Sequence, residues 1–180
     1  MSDGGAAPKV MSTWIGALTQ GGVLFSDAQA GKTVAALFIG ADAVDRLRKH
    51  FADASDDVVR RERRAAVEVC IWMACADRKV TAEERQLVVD IVKGSGLPAE
   101  DRAELSGALD DLPSLSDVEG RIQCQELREL LLGLAWELAL ADGHLHRQEQ
   151  AFLDGLVKRF AVDPMRAAEI VSNVQTTMGS

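Results

Sequence analysis

Residues 74–93 read Ala-Cys-Ala-Asp-Arg-Lys-Val-Thr-Ala-Glu-Glu-Arg-Gln-Leu-Val-Val-Asp-Ile-Val-Lys, and residues 139–158 read Ala-Leu-Ala-Asp-Gly-His-Leu-His-Arg-Gln-Glu-Gln-Ala-Phe-Leu-Asp-Gly-Leu-Val-Lys. The two stretches lie 65 positions apart. At that offset Ala74 meets Ala139, Asp77 meets Asp142, Glu84 meets Glu149 and Lys93 meets Lys158, while Leu87, Val88, Ile91 and Val92 map onto Phe152, Leu153, Leu156 and Val157. Core and loop positions repeating together indicate two copies of one structural unit.

Each copy reads as three helices. In the first, a helix from about Asp56 to Ala76 turns Val59, Ala66, Val69, Cys70 and Met73 inward, Thr81 opens a second that ends at Gly94, and a third runs from near Pro98 to about Leu109. The second copy follows the same course from about Glu126, and Asp163-Pro164 is a well-formed start signal for its last helix. Ahead of both, Val34, Leu37, Phe38, Ala41, Val44, Leu47 and Phe51 are spaced by threes and fours, which predicts an amphipathic helix of about five turns from Thr33 that is buried against the repeats or another copy of the chain. Period-two alternation is absent, so the fold class is all-α. The organisation is a mobile tail with a short helix over 1–22, an amphipathic helix region over 23–55, repeat one over 56–110, a linker over 111–120 and repeat two over 121–180. Ser116-Asp117-Val118-Glu119 after the linker has the form of a capping box.

Composition limits the function classes. A chain of 180 residues can bury a real core, and its net charge of −8 gives no general attraction to nucleic acid or anionic lipid. Cys70, Cys75 and Cys124 form no CxxC pair or even framework and read as small apolar core residues in a reducing compartment. With no secretory signal and no apolar run near the ~20 residues a bilayer span needs, a cytoplasmic location is expected, with membrane association only through a partner. Ser26-Asp-Ala-Gln-Ala-Gly31-Lys32-Thr33 imitates a phosphate-binding loop, but the first Gly is a Ser and no parallel strands accompany it, so Thr33 reads as a helix cap. Arg60-Arg61-Glu62-Arg63-Arg64 reads as a solvated face, with an acidic or phosphate docking site as the alternative.

The acids of the two loops are the candidate site. Asp77 with Glu84, and Asp142 with Glu149, bracket a turn between helices, and carboxylate oxygens suit hard divalent cations. In the first copy Thr81-Ala82-Glu83-Glu84 also has the form of a capping box, which accounts for Glu84 without a metal. In the second, His146 holds the cap position, so the capping explanation weakens there. His144 and His146 add imidazoles that favour a transition metal. An EF-hand is excluded because histidines fall where its loop requires oxygen ligands. A divalent metal ion of open identity is therefore the candidate cofactor.

At these residues the chain resembles the TerB family, the tellurite-resistance-associated helical domain. Ala141-Asp142-Gly143 followed by Glu149 is similar to the family's repeated Ala-Asp-Gly-(five)-Glu signature, and the resemblance covers roughly residues 60–175. Arg78 and Lys79 in the first copy, and His146 in the second, depart from that pattern. The resemblance implies a bundle of two three-helix repeats related by a near-twofold rotation, acids that bind divalent metal, and a role in stress response or assembly through protein partners, with a homo-oligomer among the options. The expected function is a non-enzymatic helical module. A metal-dependent enzyme built on Asp142, His144, His146 and Glu149, and a purely structural dimerisation scaffold, are the alternatives.

Overall fold

A computed structural model of the chain describes residues 35–75, 80–112, 114–115, 117–140 and 143–179. All regular structure among them is helical, as the periodicity predicts. A helical segment at 35–39 is followed by α1 (Ala41–Asp53), α2 (Asp56–Ala74), α3 (Ala82–Gly94), α4 (Ala99–Gly107), the short α5 (Val118–Arg121), α6 (Gln125–Ala139), α7 (Arg147–Arg159) and α8 (Pro164–Met178). No described helix is long and apolar enough to cross a membrane.

Two helices make the centre. From Leu127 to Ala139 nearly every side chain of α6 is buried, and so is α2 from Ala65 to Cys75 except Trp72; a helix apolar on all sides has to be surrounded by others. The two pack on each other, with α3 and α4 against α2 and α7 and α8 against α6. The covering elements cross over: α1, which precedes α2, packs on α6, while α5, which precedes α6, packs on α2.

The 65-residue offset reappears in the backbone. Helix α3 at 82–94 and α7 at 147–159 differ by 65 at both ends, and α4 and α8 start at 99 and 164. Positive φ recurs at Gly96 (69°) and Ala161 (50°), again 65 apart. Ala161 follows Phe160, the C-cap of α7, and Val162 N–H donates to the Val157 carbonyl at 3.2 Å, the long bond that closes a helix with a left-handed residue. Equally, Arg64 of α2 pairs with Asp101 of α4, and at the corresponding positions Glu129 of α6 pairs with Arg166 of α8 at 2.8 Å, so the same ion pair occurs with its charges exchanged.

Two expectations need correction. The N-terminal stripe does not lie on one five-turn helix: Gly40, at φ 90° and ψ 153°, separates 35–39 from α1 and resets the helical phase. Phe38, Val44 and Leu47 are buried and Phe51 partly so, but Leu37 is 49% exposed and Ala41 is exposed, while Ala35, Ile39 and Ala43 join the core. Asp117 stands at the start of the four-residue α5, Ser116 of the expected capping box lies outside the described residues, and α6 begins at Gln125, close to the Glu126 that the spacing predicts. The Arg60–Arg64 run is not simply a solvated face. Arg60 and Arg64 are taken up by Glu100, Asp101 and Glu104 of α4, and Glu62 among them is fully buried. The tail at 1–22, the Trp14-Ile15-Leu18 segment and Thr33 lie outside the described residues.

Glu62 ties three elements together. Its Oε1 accepts the N–H groups of Gln123 (2.8 Å) and Cys124 (3.2 Å) at the start of α6, and its Oε2 bonds His50 Nε2 of α1 at 2.9 Å. Glu62→Ala leaves those two amides without their acceptor and should cost about 3 kcal/mol in urea unfolding, whereas Glu62→Gln, which keeps a carbonyl oxygen, should cost clearly less. Ala161→Gly removes a left-handed alanine and should raise stability by about 0.5–1 kcal/mol, read as a shift in the denaturant midpoint at constant slope.

Candidate functional site

The second acidic loop starts where α6 runs out at Ala139, with Leu140 as its last residue in helical geometry. Gly143, at φ 80°, donates its N–H to the Leu140 carbonyl at 3.0 Å, which turns the chain back on itself; a residue without Cβ suits that conformation. Leu145 packs partly buried against the core and anchors the loop between His144 and His146, both exposed. His146 then takes the N-cap position of α7, and Glu149 lies in its first turn.

Glu149 already has a local role. Its Oε2 accepts the His146 backbone N–H at 2.8 Å, the returning half of a capping box. Sequence reasoning discounted this because His is not a usual cap residue, but the bond uses the His146 main-chain amide and is indifferent to the side chain. Asp77 and Asp142, and the side chain of Glu84, lie outside the described residues. Among the described residues no cluster of three or more His, Cys, Asp or Glu side chains forms a metal cage.

The described residues do locate the points where the chain leaves α2 and α6. Met73, near the end of α2, and Leu138 and Ala139, at the end of α6, line one small pocket together with Ala135, Glu149, Phe152 and Leu153. Met73 and Leu138 are equivalent at the 65-residue offset, and each stands three residues before the Ala-Asp of its own loop. The chain therefore leaves the two central helices at the same end of the bundle. The pocket between those helix ends is apolar apart from Glu149.

Elsewhere the ionisable groups are committed to structure. Hydrogen bonds from Arg60, and then from Arg64, hold the Asp101 carboxyl below the usual carboxylate range despite its burial. Arg128 donates to the carbonyls of Ile122 (2.7 Å), Phe160 (3.1 Å) and Glu119 (2.5 Å), closing the ends of α5 and α7. Burial pushes the Cys124 thiol up to about 12 and raises that of Cys70 as well, so neither is a ready nucleophile at neutral pH. A second opening, a cleft of about 390 Å³, lies along Gly40, Asp42, Arg46, Glu129 and Arg166 and contains none of the loop residues.

The two roles of Glu149 can be separated. Glu149→Ala should destabilise the chain by about 1 kcal/mol in denaturant unfolding without any metal present, through loss of the cap, whereas Glu149→Gln should stay within about 0.5 kcal/mol because its carbonyl can still accept the His146 N–H. Equal losses for both would show that the negative charge, and not the hydrogen bond, matters at that position.

Neither characterised proteins nor solved structures yield a match to the chain. The family described as tellurite resistance protein TerB matches residues 63–171, which takes in α3, α4, α6, α7, most of α2 and both acidic loops. This protein, with a matched region covering more than half its length, belongs to the TerB family.

Proposed function

We propose that the chain is a non-enzymatic TerB-type interaction module in which two three-helix copies, related by a near-twofold rotation, hold their acidic loops side by side to bind a divalent cation. The observation that carries this reading is the shared pocket: Met73 of one copy and Leu138 of the other flank it with Glu149, so the loops beginning at Ala76 and Ala141 open from one end of the bundle. Two acids per loop are too few to hold a cation alone, and four from adjoining loops, with backbone carbonyls and water, approach the six to eight oxygen ligands of calcium or the octahedral shell of magnesium. The second loop is the stronger half, because His144 and His146 extend its ligand set toward transition metals.

In this reading the bound cation organises the loop end of the module, and the ordered surface is what a protein partner recognises in a cytoplasmic stress-response or assembly role. A net charge of −8 leaves nucleic acid and anionic membrane as poor direct partners. The purely structural alternative draws its support from the Glu149 cap, which gives one of the acids a duty in α7 with no cation involved.

Calorimetric titration with Zn²⁺, Ni²⁺, Mg²⁺ and Ca²⁺ tests the proposal on the wild type, Asp77→Ala, Asp142→Ala and the His144→Ala/His146→Ala double variant. Binding should be lost with Asp142→Ala and weakened less by Asp77→Ala. If the histidines contribute, transition-metal affinity should fall between about pH 7.5 and about pH 5.5, because imidazole ligates only when neutral. Heat unaffected by the histidine substitutions removes the transition-metal reading, and no heat with any ion leaves the acids as structural.

A further inference from the structure

The element that docks ahead of the family-matched region sits in a groove fitted to it. Phe38, fully buried, fills a notch over Gly133 of α6, where a Cβ would stand 3.1 Å from Phe38 Cδ2 and 3.4 Å from Ile170 Cγ2 of α8. Two side chains of α8 bind the backbone of the same segment: Arg166 Nη2 donates to the Ile39 carbonyl at 2.6 Å and Asn173 Nδ2 to the Phe38 carbonyl at 3.1 Å. Glu129 and Glu169 hold the Arg166 guanidinium in place for that task. The contacts thus recognise a helical turn by its aromatic knob and by the carbonyls at its end, the combination a helix-in-groove interaction uses.

The segment is also separable from α1. Gly40 interrupts the helix with a positive φ, so residues 35–39 are not a rigid extension of α1. Helix α1 keeps attachments of its own, Arg46 to Glu126 at 2.7 Å and His50 to Glu62 at 2.9 Å, which do not involve the segment. Leu37 is half exposed, so the segment engages the groove through one face only.

We propose that the α6/α8 groove is a peptide-docking surface, filled here in cis by residues 35–40. Its ligand in trans is a protein segment of the same chemistry: a helical turn ending in Phe and an aliphatic residue, with glycine next. This deepens the interaction-module reading by placing the partner surface on α6 and α8 and not on the acidic loops, and it is independent of whether those loops bind a cation. The cis segment acts as a built-in competitor, so a partner has to displace it, and the apparent affinity is set by the fraction of molecules in which the groove is open.

The test uses full-length chain, in chelator so that the loop site plays no part, and a fluorescent peptide with the sequence of residues 33–41, read by anisotropy. The Phe38→Ala chain should bind the peptide at least about tenfold more tightly than the wild type, because its cis competitor is weakened. Binding should disappear when Gly133→Leu is added or when the peptide itself carries Phe38→Ala. A folded Phe38→Ala chain that binds no better than wild type, or binding that survives Gly133→Leu, overturns the proposal. Should Phe38→Ala fail to fold, hydrogen exchange on the wild type decides. Amides of the 35–40 segment exchanging well before those of α6 and α8 support a detachable segment, and exchange of all three together refutes it.

Discussion

A carboxylate with no solvent exposure is the constraint on which the rest of the bundle depends. Burying a charge is costly unless its hydrogen-bonding capacity is met, and Glu62 meets it by reaching from α2 to two main-chain amides at the start of α6 and to His50 of α1. The bond fixes where α6 begins relative to α2. Once that register is set, the long apolar surfaces of the two central helices pack on each other, and their far ends come out together. Where the chain leaves α2 and α6 is therefore decided some distance away, at the opposite end of α6.

The exchanged ion pair shows how positions 65 residues apart can keep one contact without sharing charges. Arg64 with Asp101 joins α2 to α4, and Glu129 with Arg166 joins α6 to α8. Crossing the partners would set Arg64 against Arg166 and Glu129 against Asp101, so the opposite polarity opposes the docking of α4 on α6 or of α8 on α2. Arg166 serves a second purpose because its remaining N–H reaches the Ile39 carbonyl. One guanidinium thus links the interior of the second copy to the segment that precedes the family-matched region.

Helix existence and order were legible because apolar residues recur at spacings of three and four, in several helices at positions 65 residues apart. A signal for Glu62 was also present: it stands in the apolar stripe between Val59 and Ala66, where an acid is buried or the stripe is interrupted. The basic residues around it drew the reading toward solvent. The break at Gly40 was hidden because apolar residues continue at spacings of three and four across it, so the stripe alone could not reveal that the helical phase restarts. The exchanged ion pair was invisible to comparison at an offset, which scores Arg against Glu as a mismatch. At the site itself, His144, His146 and Glu149 fall where the sequence puts them, around the start of α7. The capping bond of Glu149 was discounted because His is an unusual cap residue, although the bond depends on a backbone amide that every residue other than proline carries.

The most direct test of two loops forming one cation site is paramagnetic broadening in the amide spectrum of the labelled chain on titration with Mn²⁺. Below one equivalent, the account predicts broadening of amides at the ends of α2 and α6 and in the first turns of α3 and α7 together, with α4 and the middle of α8 unaffected. Broadening at one loop only, or spread over exposed acids throughout the surface, would contradict a shared site.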